Sequence, residues 1–511
     1  MRRSLYLALA LVLAGLAVHS AVRVIAGRSH RAASTTSRGG PATAGKATQA
    51  TARPRLPAKP SLGDLRAAVA GANVVIVVID AARADHVGCY GYPRDTTPEL
   101  DRLARESVVF EQHFCPYPAT TPSTASLLTG LYPDTHGVLG ALGTDAMEYQ
   151  GMDPAILTLE KSLRSAGYHT SMLTANEAAS PAVGVGEDFD EVFRERQVGS
   201  GRQERGDSTR HLVQKLAHVL SKHQNTRFFA YVHFLPPHSP YDAPGALKSL
   251  FSGKQPPISF QTPAFLPQAT EEYRAGPPPA DRAEWINLYD ANLRWADQAV
   301  GEVRGLLEKA GLLENTLLIV TADHGEALAE HGYLWHENVP YDEALHIPLL
   351  IRLPGGRLIR RVGALTQTVD VMPTIRELLG IESPTDALQG RPLTPLLTGG
   401  KTAVREYAFA QTYGPYYCRV ARDKDWVLLQ YRDGPSALYH IAVDPRQTRN
   451  VIASHPDRAD GLGDALRKFE QQQAAFAAQT TKGRQGKTTT ASRRKLSEDT
   501  RRELRALGYL K

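Results

Sequence analysis

The sequence predicts an α/β fold with a mixed, mainly parallel sheet sandwiched by helices and a smaller C-terminal antiparallel-sheet subdomain. Two continuous apolar runs, NVVIVVID from Asn73 and the strand Leu317 to Thr321 in NTLLIVTADH, are typical of strands buried on both faces. The later segments YAFAQTY, YYCRVAR, WVLLQY and ALYHIAVDP predict short antiparallel strands, followed by a helix from about Pro456. A chain of 511 residues is long enough for this arrangement.

Composition and charge indicate a folded central region with basic N-terminal and C-terminal segments. Hydrophobic residues make up 42% of the chain and charged residues 22%, which excludes global disorder. The net charge of +6 is uneven, because residues 1–60 hold ten Lys and Arg with no acid, and residues 481–511 hold ten basic against three acidic residues. The body between them therefore carries roughly −11. A body of this sign repels phosphate backbones, so we expect no nucleic-acid partner.

The first 69 residues predict export. Residues 1–22 join a basic start to an uncharged run, which indicates a signal peptide or membrane anchor, although a run of this length is borderline for crossing roughly 30 Å of hydrocarbon. A buried helix is the alternative. Residues 23–69 are rich in Ala, Thr, Arg, Gly and Pro and predict a disordered tether. We expect a protein of the cell envelope, either membrane-anchored or periplasmic or extracellular.

The remaining boundaries follow from composition. We expect a catalytic domain over residues 70–400, a C-terminal subdomain over 401–475, and a basic linker with a short terminal helix from Ser497 over 476–511. Three scattered cysteines, Cys89, Cys115 and Cys418, exclude a disulfide framework and a zinc ribbon but leave one disulfide open.

Polar side chains follow both apolar strands. Asp80 ends the first run, and Asp323 and His324 end the second, before Gly325, where we expect a tight backbone turn. Ligands of open α/β sheets bind at the carboxyl ends of the strands, so these side chains are candidate ligands of a divalent cation. A capping carboxylate and an ordinary loop pair are the alternatives.

Hydroxyl residues surround Pro122 in CPYPATTPSTASLLTGLYP, before an apolar helix predicted from about Ser123. Backbone N–H groups at a helix start favour an incoming anion and a deprotonated oxygen, which is what a Thr nucleophile needs. The alternative is that at least two of Thr120, Thr121 and Ser123 cap the helix.

These segments together resemble the sulfatase family of the alkaline-phosphatase superfamily, from about Asn73 to His455. The resemblance is carried by seven blocks: IDAARADHVGCYGYPRDTTPELDRLA, TPSTASLLTGLYPDTHGV, TLEKSLRSAGYHTSMLTAN, YVHFLPPHSPY, TADHGEALAEHGY, YDEALHIPLLIRLPG and ALYHIAVDPRQTRNV. It implies that Asp80, Asp323 and His324 bind one divalent metal ion together with Thr120, which falls at the nucleophile position.

The chain departs from the arylsulfatase pattern at this position. Arylsulfatases carry CxPxR, with the Cys or Ser converted to formylglycine, whereas this chain has Thr120 in TTPST. Thr cannot form the aldehyde, and the Arg is absent. Ala81 stands where many sulfatases have another metal-binding Asp, and Asn176 stands near their Lys-x-His pair, so we assign Asn176 to substrate binding.

The departures favour branches with an unmodified Thr nucleophile, similar to lipoteichoic-acid synthases, phosphoethanolamine transferases and nucleotide phosphodiesterases. We expect a metal-dependent hydrolase or transferase that cleaves phosphoric esters or diesters through Thr120. Sulfuric ester hydrolysis without formylglycine is one alternative, and a catalytically silent member that binds an anionic envelope polymer is another. The substrate is expected to be a small-molecule or envelope-polymer ester. Mixed Asp, Thr and His ligation favours Mn²⁺ or Zn²⁺, with Mg²⁺ and Ca²⁺ open.

Histidines complete the predicted site. The resemblance implies that His238, in FLPPHSPY, and His336, in HGYLWHEN, contact the anionic oxygens or protonate the leaving group, with His238 also catalytic. A structural histidine is the alternative at each position. The remaining candidates are expected to be structural: His113, His136 and His233 as packing residues, and Arg83 and Asp85 as residues that fix the loop after the first strand.

Overall fold

The structure is a computed structural model. It describes residues 55–139, 148–195, 203–254, 282–336, 338–381, 388–412, 417–482 and 493–506. These residues belong to one compact unit, Ala52–Lys511. The predicted signal or anchor segment and most of the predicted tether lie outside the described residues.

An eight-stranded sheet organises the larger part of the chain. Its strand order is β11-β2-β10-β7-β1-β6-β4-β5, and β10 alone runs antiparallel to its neighbours among these strands. The strands are β1 Asn73–Ile79, β2 Val108–Phe114, β4 His169–Thr174, β5 Glu191–Arg194, β6 Phe228–Phe234, β7 Thr316–Thr321, β10 Leu349–Arg352 and β11 Arg360–Gln367. The predicted mixed, mainly parallel sheet is confirmed.

Helices flank this sheet, and short strands lie outside it. The helices are α1 Leu62–Val69, α2 Pro98–Ala104, α3 Thr120–Thr129, α4 Pro133–His136, α5 Leu159–Ser165, α6 Gln203–Lys222, α7 Arg282–Lys309, α8 Asp342–Leu345, α9 Val371–Leu379 and α10 Thr394–Leu397. The short strands are β3 Glu148–Gln150, β8 Ala327–Leu328 and β9 Leu334–Trp335.

Strand β1 shows why the sheet is covered on both faces. All seven of its residues are buried. Because successive side chains of a strand point to opposite faces, Val75, Val77 and Ile79 enter one hydrophobic cluster and Val74, Ile76 and Val78 enter the other. A strand whose residues 74–79 are all apolar can be placed only between two layers of helices, as its sequence predicts.

The C-terminal subdomain is an antiparallel four-stranded sheet with sequential strand order, covered by a long helix. The helix lays Leu462 and Leu466 against Ala421, Trp426 and Leu428 of this sheet. The elements are β12 Ala408–Gln411, β13 Cys418–Arg422, β14 Trp426–Tyr431, β15 Ala437–His440 and α11 Pro456–Lys482. The predicted strands and the predicted helix start are confirmed.

Two predicted boundaries are wrong. Residues 62–69, assigned to the tether, form α1, because Ser61 caps a turn whose Leu65 and Val69 are buried in the core. The predicted C-terminal linker begins inside α11 and later forms β16, Arg493–Lys495, which pairs with β3.

The predicted terminal helix is present as α12, Glu498–Ala506, and it packs onto the catalytic part of the chain. Its Leu504 joins Tyr149, Ala178 and Val183 in one apolar cluster, and the Thr500 hydroxyl donates to Glu177 at 3.1 Å. The C-terminal segment therefore supports the loop that follows β4.

The three cysteines are free thiols, so the disulfide that the sequence left open does not form. Within the described ranges, no helix combines the length and apolar character needed to cross a membrane.

A charged histidine joins the loop after β7 to the C-terminal subdomain. His331 Nδ1 lies 2.7 Å from Glu343 Oε1, and its Nε2 lies 3.0 Å from the Arg446 carbonyl and 3.1 Å from the Gln447 carbonyl. Both ring nitrogens therefore face acceptors, and the ring stacks on Tyr341. Burial opposes the charge, but the Glu343 carboxylate prevails and raises the pKa of His331 to about 9.

This contact predicts a pH-dependent contribution to stability. The folded-state pKa lies above the usual value of about 6.5, so the contribution is complete below about pH 6.5 and is lost as the pH rises through about 9. His331→Asn, which tolerates the left-handed backbone at φ 51°, should lower the free energy of unfolding by up to about 3 kcal/mol at pH 6 and much less at pH 9.5. Urea unfolding across this range measures the difference, and a difference independent of pH would contradict the assignment.

Candidate active site

The residues of the site follow four parallel strands that end at one edge of the large sheet. Asp80 follows β1, Asn176 follows β4, His238 lies beyond β6, and Asp323 follows β7. These strands are neighbours in the order β7-β1-β6-β4, and parallel strands end at the same edge. The structure therefore brings the predicted candidates together.

Asp80 has one oxygen saturated with donors and one without any. Its Oδ2 accepts from Asn176 Nδ2 at 2.5 Å and lies 3.3 Å from His233 Nε2. Its Oδ1 is buried and has no hydrogen-bond partner among the described residues. The carboxylate is thus oriented through Oδ2, with Oδ1 directed at the centre of the site.

Asp323 repeats the arrangement. Its Oδ1 accepts from the backbone N–H groups of Ala81 at 3.2 Å and His324 at 2.8 Å, while its buried Oδ2 has no hydrogen bond within the described ranges. The Ala81 backbone adopts φ 59°, an uncommon conformation for a residue with a side chain, and this conformation places its N–H on Asp323. His324 Nδ1 lies 2.8 Å from the Gly325 carbonyl and can only donate to it, so Nε2 carries the lone pair.

The two open carboxylate oxygens and the lone pair of His324 Nε2 suit a divalent cation. One ligand atom from each of Asp80, Asp323 and His324 lies within 4.8 Å of the others, and the three side chains are buried. Burial and the Asp323 carboxylate raise the pKa of Asp80 to about 7, whereas His324, His233 and two backbone donors hold the pKa of Asp323 below its usual value against the effect of burial. Two adjacent buried carboxylates need a compensating charge, which a metal ion supplies.

Gly325 is required for a reason other than the predicted turn. A Cβ at this position would lie 2.1 Å from the Glu343 carbonyl oxygen, because the chain runs alongside residues 343–344. The Gly325 N–H donates to the Ala344 carbonyl at 2.8 Å, and the Glu326 N–H donates to Glu343 at 2.9 Å. Close backbone approach, with no left-handed φ, holds the loop of Asp323 and His324.

The hydroxyls near Pro122 have three different partners, and the prediction that they cap the helix is wrong. The N-cap is Ala119, and α3 begins at Thr120, three residues before the predicted start. Thr121 Oγ1 donates to the Ala178 carbonyl at 2.7 Å, and Ser123 Oγ donates to the Asp323 carbonyl at 2.5 Å. Both hydroxyls therefore fasten the helix to the loops that carry the site.

Thr120 points into the site instead. Its Oγ1 lies 3.1 Å from His324 Nε2 and 3.5 Å from Asn176 Nδ2. The side chain is buried at the first residue of α3, where helix N–H groups stabilise negative charge. This is the position of the predicted nucleophile, and the assignment of that role stays a prediction.

His238 and His336 flank the same space. The His336 ring stacks on His324 with ring centres 4.0 Å apart and lies 5.0 Å from the His238 ring. His336 Nδ1 lies 3.1 Å from Glu326 Oε1, and His238 Nδ1 lies 2.7 Å from the Ser239 carbonyl, so a second residue orients each ring. Burial lowers the pKa of His238, and it lowers that of His336 to about 4.

Two residues of the site were missed or misassigned from the sequence. His233, predicted to be structural, lies 3.7 Å from Asp323 Oδ2 as well as beside Asp80. Its position follows from the parallel register, in which β6 places His233 opposite Val78. Glu326, which orients His336, stands two residues after His324 in the motif DHGE. The position of Glu326, two residues after His324, could have indicated that it belongs to the site. The sequence did not show that its side chain would contact His336.

The other predicted structural residues have the expected kind of contacts. Arg83 pairs with Asp85 at 2.8 Å and with Glu330 at 2.6 Å, which fixes the loop after β1. His113 contacts the Thr366 hydroxyl, and His136 contacts the Ser126 hydroxyl. Asn176 holds Asp80 and Thr120, while its predicted contact with substrate stays a prediction.

Comparison with known proteins shows which family the chain resembles. The family model described as Sulfatase matches residues 72–381, and the model described as N-sulphoglucosamine sulphohydrolase, C-terminal, matches residues 329–472. The chain is 26% identical over 413 residues to an ulvan-active sulfatase of Formosa agariphila, covering 74% of this chain and 77% of that protein. It is 23% identical over 470 residues to an arylsulfatase of Clostridium perfringens, covering 78% and 94%.

A crystal structure of the phosphonate monoester hydrolase of Agrobacterium radiobacter matches with a TM-score of 0.67 at 22% identity, covering 79% of this chain and 96% of that one. This likeness confirms the predicted alkaline-phosphatase-like fold. Fold and site together define an ester hydrolase. The chain belongs to the sulfatase family.

The open carboxylate oxygens predict the effect of a ligand substitution. Asp323→Asn keeps the oxygen that accepts from the backbone but removes one negative charge. Substitutions of residues that only support a ligand cost 10- to 100-fold in metal affinity, so this change should weaken divalent-metal binding by at least about 100-fold. It should also stabilise the metal-free protein, because repulsion between the two carboxylates is relieved. Isothermal titration and urea unfolding measure the two effects.

Asp95→Asn is the matched control, because the Asp95 side chain is 75% exposed. It should leave both quantities unchanged. Unaltered metal affinity in Asp323→Asn would remove Asp323 from the ligand set.

Proposed function

We propose that this protein is a metal-dependent hydrolase or transferase that cleaves phosphoric or phosphonic esters through Thr120. The observation that carries the proposal is the Thr120 hydroxyl, buried at a helix N-terminus 3.1 Å from His324 Nε2 and next to the open oxygens of two carboxylates. Sulfuric ester hydrolysis without formylglycine is the second candidate, favoured by the sulfatases among the similar proteins.

Asp80, Asp323 and His324 would hold the metal ion, with the Thr120 oxygen beside them. A bound divalent ion lowers the pKa of a neighbouring hydroxyl and offsets the negative charge of the ester. Imidazole and carboxylate ligation favours Mn²⁺ or Zn²⁺ for this role. Asn176 and His233 act on the ligands by orienting Asp80 through Oδ2.

The chain's own groups account for the remaining steps. Thr120 Oγ forms a bond to the central phosphorus as the bond to the alcohol oxygen breaks, and the alcohol leaves with a proton. The oxygen of water or of an acceptor alcohol then bonds to the phosphorus as the bond between Thr120 Oγ1 and phosphorus breaks, which releases the acid or the new ester, and the proton lost by the nucleophile restores the Thr120 hydroxyl. His336, with Nδ1 held by Glu326, and His238, with Nδ1 held by Ser239, can accept and return protons through Nε2.

Neutral imidazoles suit this proton transfer. Burial lowers the pKa of both rings, so in the resting enzyme they accept protons at neutral pH. The proton that Thr120 releases can therefore pass to an imidazole and on to the departing alcohol, and no imidazolium is needed at the start.

The choice between phosphorus and sulfur rests on the nucleophile. Sulfatases of the CxPxR type use an aldehyde hydrate, which a Thr side chain cannot provide, whereas a hydroxyl is sufficient for phosphoryl transfer. The structural relative that cleaves phosphonate monoesters shows that this fold accommodates a phosphorus ester.

We further propose that the protein acts outside the cytoplasm, with an envelope polymer or small-molecule ester as substrate and no nucleic acid. The uncharged run after a basic start in residues 1–22 supports export and membrane attachment. The negative charge of the body supports the exclusion of nucleic acid.

Removing the Thr120 hydroxyl tests the proposal. Thr120→Val keeps the size of the side chain but not the nucleophile, so turnover of a nitrophenyl phosphodiester or phenylphosphonate should fall by at least about 1000-fold. Thr120→Ser, which retains a hydroxyl, should keep measurable activity. Turnover is measured with Mn²⁺ or Zn²⁺ and compared with turnover of nitrophenyl sulfate.

Full activity of Thr120→Val would refute the nucleophile. Hydrolysis of the sulfate alone would favour the second candidate. No turnover of any ester by a parent protein that binds metal would contradict catalysis on these esters and favour a silent, polymer-binding member of the family.

A further inference from the structure

A second cluster of metal-ligating side chains lies at the opposite edge of the sheet. His169 is the first residue of β4, Glu191 is the first residue of β5, and His223 directly follows the last residue of α6. Asn176, at the candidate active site, lies beyond the other end of β4. The two clusters are therefore separated by the length of a strand, and a ligand at one does not contact the other.

The atoms of this cluster have the spacing of a cation site. One ligand atom from each of the three side chains lies within 4.8 Å of the others. His169 Nε2, Glu191 Oε2 and His223 Nε2 are all buried, and none has a hydrogen-bond partner among the described residues. His169 Nε2 and Glu191 Oε2 lie 3.4 Å apart, so in the described part of the chain the three buried atoms have only one another as close polar neighbours, whereas buried polar atoms are normally hydrogen-bonded.

Polar groups lie near the Nδ1 atoms of the two histidines. Asp190 Oδ2 lies 3.8 Å from His169 Nδ1 and is itself held by Thr170, whose N–H and hydroxyl both donate to it at 2.9 Å. His223 Nδ1 lies 3.5 Å from the Thr226 hydroxyl. These groups lie on the Nδ1 side of each ring, which leaves Nε2 as the nitrogen available to a metal ion.

The electrostatic setting also favours a cation. His223 lies at the C-terminal end of the 20-residue helix α6, where the helix dipole is negative, and Asp190 adds a carboxylate. Lys222 is the opposing charge: its ammonium pairs with Glu191 through Oε1, which leaves Oε2 facing His169 at 3.4 Å. A metal ion at Oε2 would thus share Glu191 with Lys222.

We propose that His169, Glu191 and His223 form a zinc site that clamps the start of β4, the start of β5 and the end of α6. Two imidazoles and one carboxylate suit Zn²⁺ and exclude Mg²⁺ and Ca²⁺, which prefer oxygen ligands. The two rings stack with centres 3.7 Å apart, so binding of one ion by both Nε2 atoms would require rotation about χ2, which is a soft torsion. Water would supply the fourth ligand, since the His169 and Glu191 side chains are each 23% exposed even though their ligand atoms are buried.

The test is the number of zinc ions bound by the full chain. The metal-depleted parent should bind one more Zn²⁺ equivalent than His169→Ala or His223→Ala, measured by native mass spectrometry and by competition with a chromogenic chelator. His211→Ala is the matched control, because His211 lies on α6 with its side chain 49% exposed and should bind as the parent does. Lys222→Ala should tighten the site.

The Asp323→Asn background isolates the new site from the catalytic one. There, Zn²⁺ should still raise the midpoint of thermal unfolding, and the increase should disappear when His223→Ala is added. Glu191→Gln serves as a second, shape-preserving variant, with circular dichroism to verify folding. Equal zinc stoichiometry in the parent and the folded His169, His223 and Glu191 variants would overturn the proposal.

Discussion

The repulsion between two buried carboxylates is the constraint on which the site depends. Asp80 and Asp323 end adjacent strands, so the parallel register of β1 and β7 forces them together in the interior. The chain offsets part of the cost by giving each carboxylate donors on one oxygen only: Asn176 and His233 on Asp80, and backbone N–H groups on Asp323. The other oxygens remain for a cation, and without one burial and the repulsion raise the pKa of Asp80 to about 7, so that a proton offsets part of the charge.

The surrounding structure holds this pair and the hydroxyl in one place. Ser123 donates a hydrogen bond to the backbone of Asp323, and Thr121 donates one to the loop after Asn176, so the start of α3 is fastened to both loops. Gly325 permits the close contact with residues 343–344 that fixes the loop of Asp323 and His324. Of the hydroxyls of Thr120, Thr121 and Ser123, that of Thr120 faces His324 and Asn176. Its position in the structure, and not its side-chain chemistry, therefore distinguishes it from the other two.

The sequence predicted the parts of the site that depend on strands buried on both faces. Continuous apolar runs located β1 and β7, and a polar residue at the end of such a run can only lie at the sheet edge, which is why Asp80, Asp323 and His324 could be identified. His233 could not be, because a histidine within an apolar strand is compatible with packing, and only the register of β6 against β1 shows that it faces Asp80. The helix start at Thr120 and the fold of residues 62–69 depend on tertiary contacts, which local patterns do not encode.

The most direct test of the account is the covalent state of Thr120 during turnover. Acid quenching of the metal-loaded enzyme with a phosphonate or phosphate ester, followed by peptide mass spectrometry, should show the added phosphonyl or phosphoryl group on Thr120 within TTPST. The modification should be absent from the same peptide in Asp323→Asn, whose nucleophile is intact but whose metal centre is not. An adduct on another residue, or burst kinetics with an unmodified Thr120, would contradict the central claim that this hydroxyl attacks the ester.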